Sequence, residues 1–113
     1  MELHYSEIEK DLRLLKLIGR LDITGVSVIE TSFAAHCSGD TPRVIVDLSD
    51  VDFLASIGIR LLTLHAKSIG GRGGRMVLLK PGVDIRDVLE ITGVSAIIPI
   101  SDGLNAAKAV LVG

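Results

Sequence analysis

The strongest constraint on the fold is a short run near the middle of the chain that is apolar at successive positions. Val44, Ile45 and Val46 are followed by Asp47 and Leu48, so an extended segment here would present apolar side chains on both faces. Strands of this kind are covered on both sides, as in sheets with helices packed against them. The run therefore predicts the central strand of an α/β sheet.

Strand and helix patterns alternate along the rest of the sequence. The predicted order is β, β, α, β, α, β, α, β, α, with an initial hairpin followed by βαβ crossovers and a largely parallel sheet. A chain of 113 residues fits a single domain. The predicted strands cover residues 3–8, 12–18, 44–48, 76–79 and 97–100, and the predicted helices include residues 26–34, 57–69, 83–91 and 102–110.

Several residues are typical of helix ends. Thr24 or Ser27 could be the N-cap of the first helix, and Glu30 would complete a Ser-x-x-Glu capping box with Ser27. Gly93 is expected at the C′ position after the third helix. Ser101 or Asp102 is expected to cap the last helix, and Pro99 places the last strand at a sheet edge.

Composition excludes several classes of function. Twelve basic and fourteen acidic residues give a net charge of −2, and aromatic residues make up only 3%, so neither a basic footprint nor a stacking platform for nucleic acid is present. No apolar run approaches the roughly 20 residues that span a bilayer, so we expect no membrane insertion and no signal peptide. The lone Cys37 cannot form an internal disulfide, which predicts a reducing, cytoplasmic location.

The helix predicted over residues 57–69 has two different faces. At about 100° per residue, one arc is mostly apolar and should pack on the sheet. The opposite side is polar and begins at Ser56, which should be exposed to solvent at the start of the helix. The apolar arc comprises Leu61, Leu62, His65, Ala66 and Ile69, and the polar face comprises Ser56, Arg60, Thr63 and Lys67.

Ser56 has two compatible interpretations. It could be an N-cap whose hydroxyl accepts a hydrogen bond from an unpaired amide, a contribution of about 1 kcal/mol. It could also be a phosphorylation site, because a phosphate at a helix N-terminus meets free N–H groups and the positive end of the helix dipole. Arg60 would then lie one turn away.

Three segments together resemble the blocks of the STAS family, the anti-sigma-factor antagonists. They are residues 19–22 (GRLD), 44–59 (VIVDLSDVDFLASIGI) and 84–94 (DIRDVLEITGV). The resemblance covers essentially the whole chain, residues 1–113, and implies an α/β STAS-like domain with a mixed sheet of about five strands and four to five helices. In the bacterial antagonists the middle block usually reads Asp-Ser-Ser-Gly or Asp-Ser-Thr-Gly, and its first serine is phosphorylated by a partner anti-sigma factor that is a serine kinase.

The resemblance assigns roles to individual positions. Ser56 matches the phosphorylated serine, Gly58 the glycine that opens the helix, and Asp22 the acidic residue of the first block. Two positions differ from the family pattern, since Ala55 replaces the aspartate and Ile57 replaces the second hydroxyl residue. The implied partners are the anti-sigma serine kinase and a serine phosphatase, and the implied partner-binding residues are Asp22, Asp52, Leu54, Ala55, Ser56, Ile57, Gly58, Arg60, Thr63 and Lys67.

Two further functions stay open at this point. The same fold could act as a constitutive module of a signalling or transport complex with Ser56 never modified, or it could bind a small molecule or nucleotide at the same end of the sheet. Enzymatic activity, a cofactor and a metal are not expected. Residues 70–75 (GGRGGR) follow a helix and precede a strand, the reverse of a phosphate-binding loop, and the adjacent His36 and Cys37 diverge too far to bind one metal.

Overall fold

The computed structural model describes residues 1–112 and confirms the predicted order of elements. The hairpin strands come first, and helices then alternate with strands to the end of the chain. The elements are β1 (Glu2–Glu9), β2 (Leu12–Leu21), α1 (Ile23–His36), β3 (Arg43–Leu54), α2 (Ser56–Gly71), β4 (Arg75–Leu79), α3 (Val83–Ile91), a 3₁₀ turn (Val94–Ala96), β5 (Ile100–Ser101) and α4 (Leu104–Val112).

One mixed sheet organises the molecule. Its strand order is β1-β2-β3-β4-β5, with β1 and β2 antiparallel and every later pair parallel. The carboxyl ends of β2 to β5 therefore meet at one edge of the sheet, and their amino ends meet at the opposite edge. We call these the carboxyl edge and the amino edge.

The central position of β3 is confirmed. Val44, Ile45, Val46 and Leu48 have no measurable exposure, because helices cover the strand on both faces. Three helices, α1, α2 and α3, pack over the larger core on one face. Within residues 1–112, α4 alone packs on the other face, where Ala107 and Leu111 join Ile45 in a smaller core. No helix within residues 1–112 is long and apolar enough to cross a membrane.

The first and last helices do not begin at the caps predicted for them. The N-cap of α1 is Asp22, whose side chain accepts a hydrogen bond from the amide of Gly25, so Thr24 and Ser27 lie inside the helix. The reason is that β2 pairs with β3 up to Leu21, and the chain turns into the helix immediately afterwards. At the other end of the chain, Ser101 is buried in β5 and α4 begins only at Leu104, directly after Gly103, so neither Ser101 nor Asp102 is its N-cap.

The last strand is also shorter than predicted. Residues 97–99 precede β5, because the 3₁₀ turn over Val94–Ala96 leads Ile98 into the core instead of along the sheet edge. The edge position of β5 is confirmed. Gly93 follows the C-cap of α3 with a φ of 81°, which confirms the predicted C′ glycine.

Candidate functional site

The ends of β2 and β3 bring the first and middle sequence blocks together. Leu21 pairs with Leu54, and the amide of Ala55 donates to the carbonyl of Leu21 over 3.1 Å. Asp22 follows β2 directly, and Ser56 begins α2 just after β3. Strand pairing therefore places both residues at the carboxyl edge although they are far apart in the sequence.

Two glycines allow both helices to begin tightly against β2. A Cβ on Gly58 would lie 2.7 Å from the carbonyl oxygen of Leu21, and one on Gly25 would lie 2.0 Å from that of Arg20. Neither backbone oxygen can move without disturbing the sheet. The role of Gly58 was predicted from the family pattern, whereas that of Gly25 was missed. The sequence signal for Gly25 was its position three residues after the acidic residue Asp22.

Ser56 is exposed but does not cap α2. The N-cap is Ala55, in extended conformation and without a side-chain hydrogen bond, so the N-cap interpretation of Ser56 is wrong by one residue. The cause is the hydrogen bond from Ala55 to Leu21, which holds Ala55 in line with β3 and makes Ser56 the first helical residue. Its hydroxyl forms no hydrogen bond with any group in residues 1–112.

Asp22 is the centre of a small polar cluster. Its Oδ1 accepts the Gly25 amide at 2.8 Å, and its Oδ2 lies 3.3 Å from Nε of Arg20. The hydrogen bond from the Gly25 amide holds the pKa of Asp22 below its ordinary value, and Arg20 acts in the same direction. The carboxylate therefore stays charged at neutral pH.

Arg20 and Phe53 are site residues that the sequence reasoning missed. The Arg20 guanidinium carbon lies 4.1 Å from the centre of the Phe53 ring, a cation–π distance. The two residues are register partners on β2 and β3, and Phe53 is 40% exposed. Both belong to the sequence blocks, but only the register between the two strands indicates that they meet.

Some of the predicted partner-binding residues are exposed, whereas others are buried and pack beneath the exposed ones. Asp52, Ser56, Ile57, Arg60 and Lys67 are exposed and available to a partner. Buried Leu54 and Gly58 support the turn between β3 and α2 from below, and Asp22, Ala55 and Thr63 are half-buried. The Thr63 hydroxyl donates to the carbonyl of Ile59 at 3.0 Å.

A shallow groove runs between α1 and α2 beside Ser56. It has a volume of about 280 Å³, and its apolar wall includes the exposed side chains of Ile57 and Leu64. Glu30 on α1 and Arg60 on α2 place opposite charges along it. The groove is lined by Val26, Glu30, Ile57, Arg60, Leu61 and Leu64.

The remaining sequence candidates contribute no chemistry to this edge. The Gly70–Gly74 segment ends α2 and turns into β4, with Gly73 at a φ of 79°. Burial raises the pKa of the Cys37 thiol to about 11, so the thiol stays protonated and unreactive at neutral pH. Residues 1–112 hold no group of three or more His, Cys, Asp or Glu side chains placed to bind a metal ion.

Comparison with known proteins identifies relatives in sequence and in structure. The profile described as the STAS domain matches residues 5–107. The chain is 31% identical, over 82% of its length and 80% of the relative, to BtrV of Bordetella bronchiseptica, which is assigned as an anti-sigma factor antagonist. The crystal structure of an anti-sigma factor antagonist from Mycobacterium paratuberculosis superposes with a TM-score of 0.87 at 21% identity, covering 99% of this chain and 94% of the other. The Bacillus protein SpoIIAA in its phosphorylated form matches with a TM-score of 0.72 at 20% identity, covering 96% and 99%.

Proposed function

Because this chain belongs to the STAS domain family and its relatives are anti-sigma factor antagonists, we propose that it is a phosphorylation-controlled switch that binds an anti-sigma serine kinase. The unphosphorylated form captures the kinase and so releases sigma factor. Phosphorylation of Ser56 ends the capture, and a serine phosphatase restores it. This function places the protein in the cytoplasm and requires no catalysis by the chain itself.

The exposure of Ser56 is the observation that carries the proposal. Its hydroxyl is at the surface, on the first residue of α2, and is engaged by no group in residues 1–112. A kinase can therefore reach it without unfolding the helix. A phosphate there would also lie at the positive end of the helix dipole, which stabilises the modified form.

The surface around Ser56 suits a protein partner. Phe53, Ile57 and Leu64 expose apolar area between the charges of Arg60, Glu30 and Asp22. Apolar anchors surrounded by polar groups are typical of protein–protein interfaces. We assign the α1–α2 groove and the exposed face of α2 to the kinase.

Phosphorylation would act on this surface through charge. It adds about −1.5 to −2 charges next to Phe53 and Ile57, whose contact with a partner requires loss of water. A desolvated doubly charged group is costly unless it is paired, so kinase binding should weaken. Arg60, one turn along α2, can pair with the phosphate on the free protein and stabilise the released state.

A constitutive module is the second candidate, and the local sequence supports it. Ala55 supplies no carboxylate beside Ser56, and Ile57 supplies no second hydroxyl, at positions where the family usually has both. In that case the same surface would bind a partner permanently, with Ser56 unmodified.

Two measurements distinguish these functions. The protein is incubated with ATP and a candidate anti-sigma serine kinase from the same organism, and its mass is then measured. A gain of one phosphate in the wild type and in Ser68→Ala, an exposed serine near the far end of α2, but not in Ser56→Ala, supports the switch. A wild type that gains no phosphate but still binds the kinase indicates the constitutive module.

Calorimetric titration against the kinase gives the second measurement. Ser56→Ala should bind like the unmodified wild type, and Ser56→Asp should bind at least tenfold more weakly, about 1.4 kcal/mol, because the carboxylate carries part of the phosphate charge. Equal affinity of all three proteins would rule out the switch.

A further inference from the structure

A second cavity lies at the amino edge of the sheet, opposite Ser56. It has a volume of about 500 Å³ and opens where β2, β3 and β4 begin. Loops after β1, α1 and α2 form its walls. It is lined by Asp11, Arg13, Asp40, Thr41, Pro42, Arg43, Gly73, Gly74, Arg75 and Leu111, and we call it the arginine cavity.

Arg43 and Arg75 are brought together by the sheet itself. They are register partners at the first positions of β3 and β4, so their side chains leave the same face of the sheet. Because β3 and β4 are parallel neighbours, the two positive charges are adjacent on one face of the sheet and repel each other. Neither guanidinium, nor that of Arg13, forms an ion pair with a carboxylate within residues 1–112.

Carbonyl oxygens hold the three guanidinium groups in place without neutralising them. Arg13 donates to the carbonyls of His36 and Ser38 at 2.8 and 2.6 Å, and Arg75 donates to Val110 at 3.0 Å. Arg43 reaches the carbonyl of Lys10 only at 3.4 Å. Each guanidinium has five N–H donors, so Arg43 and Arg75 have donors left for a ligand on their shared face. Arg13, the register partner of Val44, leaves the opposite face of the sheet and reaches the cavity only at its rim.

The other lining groups limit what can bind. The lining contains three arginines and two aspartates, Asp11 and Asp40, so its formal charge is only +1. So small a net charge disfavours binding of an extended polyanion. The loop backbone at the rim is held in left-handed conformations, with φ of 62° at Asp11 and 46° at Thr41. This conformation is unfavourable for a β-branched residue such as Thr41, and such strain is concentrated at functional sites.

We propose that the arginine cavity binds a small phosphoryl anion, inorganic phosphate or pyrophosphate. Planar guanidinium groups match the oxygens of such anions with paired, charge-assisted hydrogen bonds. The anion would supply the negative charge that the Arg43–Arg75 pair lacks. The proposal does not depend on the function of Ser56, because the two sites lie at opposite edges of the sheet.

Amide spectra recorded during titration with inorganic phosphate, and separately with pyrophosphate, test the proposal. The ionic strength is matched with sodium chloride. We expect saturable shifts at Asp11, Thr41, Gly73 and Gly74. In Arg43→Gln the affinity should fall at least tenfold. Lys80→Gln, which removes one exposed charge at the carboxyl edge, should titrate like the wild type.

Several results would overturn the proposal. They are shifts that do not saturate, shifts that sodium chloride reproduces, and equal affinity in wild type and Arg43→Gln. Arg43→Gln should keep a dispersed spectrum because its one hydrogen bond is long, and Arg75→Gln repeats the test from the neighbouring strand. The affinity of Arg43→Gln for the kinase should equal that of the wild type. A failure of the anion-binding proposal would therefore be distinguishable from a failure of the phosphorylation switch.

Discussion

The helices α1 and α2 begin side by side with the same geometry and different chemistry. Each starts directly after a strand of the β2–β3 pair, and each has a glycine as its third helical residue packed against β2. The two starts read Asp22-Ile23-Thr24-Gly25 and Ala55-Ser56-Ile57-Gly58. The first has a permanent carboxylate cap, whereas the second has no side-chain cap and an exposed hydroxyl that can acquire negative charge.

The two helix starts share one packing arrangement and differ in how the N-terminal negative charge is supplied. At α1 the N-terminal charge is present at neutral pH without any modification, because Asp22 is itself the cap. At α2 the equivalent position is Ala55, and we propose that Ser56 receives the charge only when a kinase adds it. The glycines are the shared requirement, and the caps are the difference.

The largest expected change in stability comes from replacing the glycines that both helix starts require. Gly25→Ala and Gly58→Ala force a Cβ against backbone oxygens of β2, and overpacking of this kind costs about 1–3 kcal/mol, occasionally more. Gly25→Ala should be the worse because its approach is closer. Gly70→Ala, in open space near the end of α2, should instead stabilise by about 0.5–1 kcal/mol. Urea unfolding measures all three, and equal effects would contradict the packing argument.

The cap of α1 should be the next most sensitive feature. Asp22→Ala removes the acceptor of the Gly25 amide and should lower the urea midpoint. The pKa of Asp22 is lower in the folded protein than its ordinary value of 3.8, so its charge stabilises the fold above that value. The contribution is lost as the pH falls through the lower folded pKa.

Unfolding measured from pH 7 down to strongly acidic pH checks this dependence. The stability difference between wild type and Asp22→Ala should be constant near neutral pH and should shrink only in acid. A difference that grew on acidification would show that the charge of Asp22 destabilises the fold.

Adding a side-chain cap to α2 should raise the stability of its first turn toward that of the capped first turn of α1. Ala55→Asp should stabilise by about 0.5–2 kcal/mol, since Ala55 already has the extended backbone of an N-cap. Gly82→Asp, at the uncapped start of α3, is the matched control. It should gain only a few tenths of a kcal/mol, because glycine is itself a tolerable cap. A destabilised Ala55→Asp would mean that its backbone cannot act as a cap.

The smallest expected effect concerns Ser56 itself. Because its hydroxyl does not cap α2, Ser56→Ala should change the free energy of unfolding by less than about 0.5 kcal/mol, as is usual for surface substitutions. Thermal unfolding of the two proteins measures it. A loss of 1 kcal/mol or more would restore the N-cap interpretation.

Much of the fold was predictable because it depends on local pattern. The apolar run at Val44–Val46 identified the central strand, and periodicity identified the polar face of α2 and the limits of α3. The edge position of β5 was predicted from Pro99 and is confirmed, although Pro99 itself precedes the strand. In the candidate site, the exposure of Ser56 was predictable for the same reason, whereas the role of Gly58 was implied only by the family resemblance.

The sequence by itself determined the order of elements, the central strand and the exposed face that carries Ser56, since periodicity and turn residues act over a few neighbouring positions. Only the tertiary structure decided where α1 and α2 begin, because the end of a strand depends on how far its partner continues to pair. The same pairing brought Arg20 over Phe53 and placed Arg43 beside Arg75. Contacts of this kind depend on the register between strands, which no local pattern in the chain specifies.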